Sequence, residues 1–227
     1  MGKLYQQFSD FEYDLLYDKD VAKRETKRRM HMSNIWMPLV EVETNAGVRE
    51  VALATKHFSK RKVFLIGEIN TESVNQLVSQ LMYLSDISDE EIHLYINSGG
   101  GEVNAGLVLY DVIQSLKAPI NMYCMGMAAS MAAVILAGGQ KGRRFILPHS
   151  KTMIHEPLIR DGVGGSATSI KNLSENILQT REIINNLLVK HTGKTLEEVN
   201  AATAFDNYMN AQESIDFGIC DEIRNII

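Results

Sequence analysis

Ser130 lies where a strand-like sequence changes abruptly into a helix-like one. Residues 119–125 form an apolar, strand-like run, and residues 131–137 are small and apolar and end at Gly138 and Gly139. This pattern predicts a buried helix with a glycine stop. Because a helix N-terminus leaves backbone N–H groups unpaired, a serine there can be a nucleophile beside an oxyanion site. The alternative is a simple N-cap, a position that serine favours.

Two other polar residues at element ends, His155 and Asp206, offer the groups that such a serine needs. Serine is a poor nucleophile until a base takes its proton, and the base needs a carboxylate to orient it. The chain order serine, histidine, aspartate differs from the orders in the α/β-hydrolase, chymotrypsin and subtilisin groups, and no G-x-S-x-G motif occurs. His149, close in sequence, and His191, at a predicted helix C-terminus, are the alternative bases.

The remaining candidates are assigned simpler roles. His31, His57 and His93 have no partner motif, so we expect surface or core positions for them. Glu156 and Asp161 are interpreted as loop charges and not as members of the catalytic set.

A second turn, Gly99–Gly101, follows the predicted strand 92–97 and precedes a predicted helix that starts at Glu102. Three glycines after a strand indicate that backbone approaches something closely. The turn lacks the Lys-Ser/Thr pair of a P-loop and the spacing of a dinucleotide fingerprint. We therefore expect it to direct a backbone N–H at a ligand, so that this turn and the Ser130 turn supply two converging donors.

Composition narrows the functional classes. The chain has 227 residues, 45% hydrophobic and 22% charged, with a net charge of -5, so it carries no basic footprint for nucleic acid. Cys124 and Cys220 lie in apolar segments and are expected to be reduced core residues, and no Cys/His cluster predicts a metal. No membrane span or signal peptide is visible, so we expect a cytoplasmic protein without a cofactor.

Strands alternate with helices along the chain, which predicts an α/β fold. Residues 39–44 and 48–53 are predicted to form a hairpin, and residues 1–37 a charged N-terminal arm outside the main domain, residues 38–227. Thr71 is the predicted cap of the first long helix. The predicted inward positions of the three main helices are Val74, Leu77, Val78, Leu81 and Leu84; Val103, Leu107, Tyr110, Ile113 and Leu116; and Ile170, Leu173, Ile177, Ile184, Leu187 and Leu188.

Several short motifs, taken in order, resemble those of the proteolytic subunit of the Clp protease, a serine peptidase, over residues 38–227. They are Leu94-Tyr95-Ile96-Asn97-Ser98-Gly99-Gly100-Gly101, Gly126-Met127-Ala128-Ala129-Ser130-Met131, Met153-Ile154-His155-Glu156-Pro157, His191-Thr192-Gly193 and Asp206-Asn207-Tyr208-Met209-Asn210-Ala211-Gln212-Glu213-Ser214. The resemblance implies that Ser130 is the nucleophile, His155 the general base and Asp206 its orienting carboxylate. It also implies that the N–H groups of Gly101 and Met131 form the oxyanion hole.

The family resemblance implies a fold and an assembly as well. The fold is a spiral of β-β-α repeats, related to that of the crotonases, with a projecting strand–helix handle at about residues 158–190. Seven subunits form a ring, and two rings stack into a tetradecamer whose chamber encloses the sites. Unfolded polypeptides enter with the help of a Clp-family ATPase unfoldase, so ATP is used by the partner.

Some positions depart from the family pattern. Gly99 replaces a usual proline, and Glu156 a usual glutamine. Ala204 and Phe205 replace an acidic residue and an arginine that join the two rings, so we expect stacking to be unusual or conditional. His93, Ser115 and Arg224 occupy positions of the aromatic and aliphatic pocket that docks the unfoldase.

Two other functions compete with an active serine endopeptidase. One is a catalytically silent ring subunit that partners a paralogue, against which the intact set of Ser130, His155 and Asp206 argues. The other is a crotonase-type acyl-CoA enzyme, which also uses two backbone N–H donors but needs a carboxylate base.

Overall fold

The computed structural model of the chain describes residues 38–44, 47–159 and 164–225. The predicted N-terminal arm and Asp161 lie outside these residues. The chain divides into two compact units, the first ending at Lys60 and the second beginning at Arg61.

The described part of the first unit is a hairpin and a short helix. Strands β1 (Leu39–Thr44) and β2 (Gly47–Ala52) are antiparallel, with Leu39 opposite Ala52, and helix α1 (Leu53–Phe58) follows. The predicted hairpin is therefore confirmed.

The second unit has an α/β architecture, which confirms the predicted fold class. Its elements are β3 (Lys62–Ile66), α2 (Thr71–Ile87), β4 (Ile92–Ser98), α3 (Val103–Ser115), β5 (Ile120–Ala129), α4 (Met131–Ala137), β6 (Arg144–Ile146), β7 (Lys151–Ile154), α5 (Ala167–Thr192), α6 (Leu196–Thr203), β8 (Asn207–Met209), α7 (Ala211–Phe217) and β9 (Glu222–Ile223). Within the described residues, no helix is both long and apolar enough to cross a lipid bilayer.

The strands of the second unit form one mainly parallel sheet. The order is β3-β4-β5-β6-β9, and β7 pairs with β5 beyond the end of β6. Strand β8 is antiparallel to β7, whereas the other pairs are parallel. The sheet therefore forks at β5: the first half of β5 pairs with β6, and its last residues pair with β7.

The helices follow the predicted positions with two local corrections. Helix α2 buries Val74 and the three leucines predicted with it, but its cap is Asn70 and not Thr71. The Asn70 side chain accepts from the Ser73 N–H, and the Ser73 hydroxyl accepts from the Asn70 N–H, a capping box that Thr71 cannot make from inside the helix.

The buried face of helix α3 shares Tyr110 and Ile113 with the predicted one and differs at the other positions. Its buried residues are Ala105, Gly106, Leu109, Tyr110 and Ile113, while Val103 and Leu107 are only half-buried. A Cβ at Gly106 would overlap the Met131 side chain, so α4 packs here against the smallest residues of α3. The predicted stripe is therefore confirmed at Tyr110 and Ile113 and wrong at Val103 and Leu107.

Helices α4 and α5 differ in how much they bury. All seven residues of α4 are buried, as predicted. On α5 only Ile184, Asn185 and Leu188 are buried, so the predicted stripe is covered in its second half, while Ile170 and Leu173 are exposed within this chain. The helix ends at Gly193 in the left-handed conformation, as its sequence predicts. Cys124 and Cys220 are free and buried, as expected.

Candidate active site

The pairing of β5 with β7 brings Ser130 and His155 together. Ala129 lies opposite Met153, and the Ser130 N–H donates to the Met153 carbonyl over 2.8 Å. His155 is two residues beyond Met153, directly after β7 ends. The fork in the sheet therefore places the histidine beside the residue that follows β5.

The antiparallel pairing of β7 with β8 brings in Asp206. Ile154 lies opposite Asn207, so the same register continued by one residue sets His155 opposite Asp206. Side chains directly opposite each other in an antiparallel pair are close enough to bond. The two strand pairings thus bring three distant stretches of sequence to one place.

The three side chains form one hydrogen-bonded line. His155 Nε2 lies 2.9 Å from Ser130 Oγ, and His155 Nδ1 lies 3.0 Å from Asp206 Oδ1. An ionised carboxylate can only accept, which assigns the proton of a neutral imidazole to Nδ1 and leaves Nε2 as the acceptor for the serine O–H. The Asp206 side chain is 56% exposed, so this carboxylate is open to water.

Ser130 is held in an unusual backbone conformation, with φ 54° and ψ -125°. These angles match the first central position of a type II′ turn, which normally requires glycine. The Ser130 carbonyl accepts from the N–H groups of Ala133 and Val134, which ties Ser130 to the first turn of α4. Its side chain makes no capping bond, so the simple N-cap interpretation is wrong. Such a conformation costs about 1–3 kcal/mol and typically occurs at functional sites.

The glycine turn packs directly against the serine turn. Gly100 and Gly101 have φ 90° and 154°, and a Cβ at Gly100 would lie 2.7 Å from Ser130 Cβ and 3.2 Å from Met131 N. Gly100 is therefore a site residue that the sequence analysis missed. Its signal was the run of glycines, which indicated a close approach without showing which glycine makes it.

Backbone pairing fixes Gly101, and the bonds of that pairing, within the described residues, do not use its own N–H. The Ile69 N–H donates to the Gly100 carbonyl, and the Glu102 N–H donates to the Ile69 carbonyl. A Cβ on Gly101 would overlap the Ile69 backbone. Ser98 Oγ accepts from the Gly100 N–H over 3.1 Å and donates to the Gly67 carbonyl over 2.6 Å. Met131, as the first residue of α4, also has an N–H without an intrahelical acceptor.

An apolar cleft opens beside the serine–histidine pair. With the solvent at its mouth, it has a volume of about 310 Å³. Its walls, apart from Ser130 and His155, are Val103, Met131, Val134, Ile154, Pro157, Ile184 and Leu188. The cleft therefore presents apolar walls next to the serine hydroxyl.

Most of the competing residues are bonded to other groups. His191 Nε2 bonds to the Tyr110 hydroxyl at 2.7 Å, and burial lowers the pKa of His191. His93 Nδ1 bonds to the Tyr123 hydroxyl at 3.1 Å, and His149 is exposed. Glu156 pairs with Arg181.

The positions that depart from the family pattern are mostly at the surface. Phe205, just before Asp206, is 85% exposed, and nothing lies within 4 Å of a Cβ placed on Gly99. The Arg224 guanidinium lies 3.7 Å from the ring centre of Phe145, at one end of a row of stacked aromatic rings. In the described part of the chain, no cluster of His, Cys, Asp and Glu could hold a metal ion.

A comparison with protein families gives an independent result. The family model of the Clp protease matches residues 45–226. The match covers every residue of the hydrogen-bonded line and both turns that pack around Ser130.

Proposed function

This chain belongs to the Clp protease family, and we propose that it is a serine endopeptidase subunit in which Ser130, His155 and Asp206 form the catalytic triad. The family membership makes it a peptidase. The observation that carries the finer assignment is the continuous line of hydrogen bonds from Ser130 Oγ through the imidazole to Asp206 Oδ1.

In the proposed reaction, His155 Nε2 takes the proton as Ser130 Oγ attacks the carbonyl carbon of the substrate peptide. The imidazolium then gives this proton to the leaving amine, the C–N bond breaks, and an acyl-enzyme remains. A water molecule, deprotonated by the same nitrogen, hydrolyses the ester and releases the acid. Asp206 holds the Nδ1 proton in place and stabilises the imidazolium.

The N–H groups of Gly101 and Met131 form the oxyanion hole in this proposal. Support comes from the contact between the two turns, because Gly100 brings the glycine turn against Ser130 and the start of α4. Donors fixed by backbone need no reorganisation when negative charge develops on the carbonyl oxygen.

The substrates are peptides and unfolded polypeptides, cleaved inside a chamber made by heptameric rings in the cytoplasm. The family pattern supports this assembly, as do the apolar residues of α5 that are exposed in the single chain. An ATPase unfoldase delivers folded substrates, and the subunit itself takes no cofactor.

We propose that Phe205 provides an apolar contact between stacked rings. Native mass spectrometry tests this, because a stack held by Phe205 persists at high salt, whereas one held by charge pairs dissociates.

A serine-reactive phosphonate probe tests the proposed nucleophile. We expect the probe to label Ser130, and we expect Ser130→Ala to be unlabelled and to lose peptide hydrolysis by several orders of magnitude while remaining folded. Near wild-type hydrolysis by pure Ser130→Ala protein would refute the assignment. Labelling of another serine would refute it as well.

A further inference from the structure

The segment after His155 is tied to two helices at once. The Glu156 N–H donates to the carbonyl of Thr203, the last residue of α6, over 2.8 Å. Glu156 Oε2 lies 2.9 Å from Arg181 Nε on α5. Glu156, the residue that follows the proposed base, is therefore bonded to the stretch that leads into Asp206 and also contacts the long helix.

The contact between Glu156 and Arg181 is mainly a contact of charges. The two side chains are 41% and 34% exposed, so water screens part of the attraction. Arg181 Nε itself is buried, and its N–H makes no aligned hydrogen bond in the described part of the chain. A buried donor in this state depends on the nearby negative charge, because the donor has lost water without gaining a good hydrogen bond.

Residues on the same face of α5 as Arg181 also contact the surroundings of the site. Ile184 and Leu188 line the apolar cleft, and Asn185 Nδ2 donates to Asn200 Oδ1 on α6 over 2.7 Å. Arg181 and Asn185 are four residues apart, so they lie on one face of the helix. This face of α5 thus contacts both the segment that carries His155 and the helix that precedes Asp206.

We propose that Glu156 and Arg181 are positioning residues that keep the His155 imidazole in line between Ser130 and Asp206. The proposal rests on the catalytic triad assigned above. The β7–β8 register directs His155 toward Asp206, but His155 itself lies beyond the last paired residue of β7, and Glu156 is the next residue along the chain. A shift of about 1 Å in a catalytic group can reduce a rate by up to a hundredfold, so this tie controls kcat.

Arg181→Gln, assayed in the full-length assembled protein with a fluorogenic peptide, tests the tie. We expect kcat per phosphonate-titrated site to fall about tenfold, while KM stays within about twofold, because the cleft is unchanged and the alignment is lost. Arg181→Lys retains the charge and should recover most of kcat; it also serves if the glutamine variant folds poorly.

Arg143→Gln is the matched control. Arg143 forms an ion pair with Glu91 of similar exposure, 28% and 48%, away from the site. The Arg143→Gln variant removes the same charge by the same substitution, and because the lost ion pair is away from the site, kcat should be unchanged. The exchange variant Glu156→Arg with Arg181→Glu restores opposite charges and should recover at least half of the lost activity.

Three outcomes would overturn the positioning role. They are a kcat for Arg181→Gln within twofold of wild type, a change confined to KM, or a folded exchange variant that recovers no activity. Failure of the proposed triad is distinguishable, because the phosphonate would then leave Ser130 unlabelled in the wild-type protein.

Discussion

The two halves of the proposed active site are held by different kinds of contact. Ser130 and Gly101 are fixed by backbone, through the end of β5, the pairing of Gly101 with Ile69, and the fully buried helix α4. His155 and Asp206 follow and precede short strands, and their contacts are made largely by side chains. Backbone contacts leave little tolerance for a change of shape, whereas side-chain contacts can weaken by degrees. Substitutions should therefore act on the first half as steric failures and on the second half as graded losses of rate.

The largest effect is expected from Gly100→Ala in the backbone-held half. The new Cβ would lie 2.7 Å from both Ser130 Cβ and the Ala129 carbonyl, so the two turns must separate. Because this displaces the proposed nucleophile and the proposed oxyanion donors together, we expect kcat/KM for a short peptide to fall by about a thousandfold. Gly99→Ala is the control, since open space surrounds Gly99, and it should retain activity within about twofold. Equal effects of the two substitutions would remove the distinction between the halves.

A smaller loss is expected from Asp206→Asn in the side-chain-held half. An amide can hold the imidazole in the wrong tautomer and cannot stabilise its charge. The carboxylate is more than half exposed, so water replaces part of its effect, and we expect kcat to fall by about a hundredfold with little change in KM. Steady-state kinetics on the assembled protein measures this. An unchanged kcat would mean that another carboxylate orients His155.

The ion pair between Arg144 and Asp221 supports both halves, so acid should weaken them together. Arg144 Nη1 donates to the carbonyls of Ala137 at the end of α4 and His191 near the end of α5. Burial alone would raise the pKa of Asp221, but the Arg144 guanidinium and the backbone N–H groups outweigh it and hold that pKa below its usual value.

Because the folded pKa of Asp221 is the lower one, its carboxylate stabilises the fold above the unfolded pKa of about 3.9, and this contribution is lost as the pH falls toward the folded value. We expect Asp221→Asn to lower Tm at neutral pH and to flatten the loss of Tm between about pH 5 and pH 3. Thermal unfolding followed by circular dichroism at several pH values measures both. A variant as acid-sensitive as wild type would show that other carboxylates dominate.

The smallest effect concerns the strained backbone of Ser130. Alanine at this position removes the hydroxyl but keeps the unfavourable positive φ, whereas glycine removes both. We expect Ser130→Gly to be more stable than Ser130→Ala by about 1 kcal/mol, although glycine also increases the entropy of the unfolded chain. Denaturant titration of the two inactive proteins gives the difference. A more stable alanine variant would show that the turn carries no strain.

The sequence predicted the elements around Ser130 well, because each of them is determined by residues that are neighbours in the chain. The apolar run before Ser130, the small residues after it and the glycines of the other turn each reflect one element and its immediate environment. The members of the hydrogen-bonded line came from residue types and from the family resemblance, and not from periodicity.

What the sequence did not reveal depends on contacts between distant elements. Periodicity ranks residues by apolar size, so it missed Ala105 and Gly106, which are buried because α4 approaches α3 closely. It could not choose Asn70 over Thr71, because the choice depends on a reciprocal bond to Ser73. Glu156 was interpreted as a loop charge, since its partner Arg181 is 25 residues further along the chain and on another element.

The order in which the strands come together has a consequence for biosynthesis. Strand β7 pairs with β5 on one side, but Asp206, which precedes β8 on the other side, comes 51 residues after His155 in the sequence. At about 5–20 residues per second, a ribosome completes the segment with Ser130 and His155 several seconds before it adds Asp206. A nascent chain thus carries the proposed nucleophile and base without the carboxylate that orients them. The order of these elements along the chain therefore delays the proposed triad until Asp206 has been synthesised.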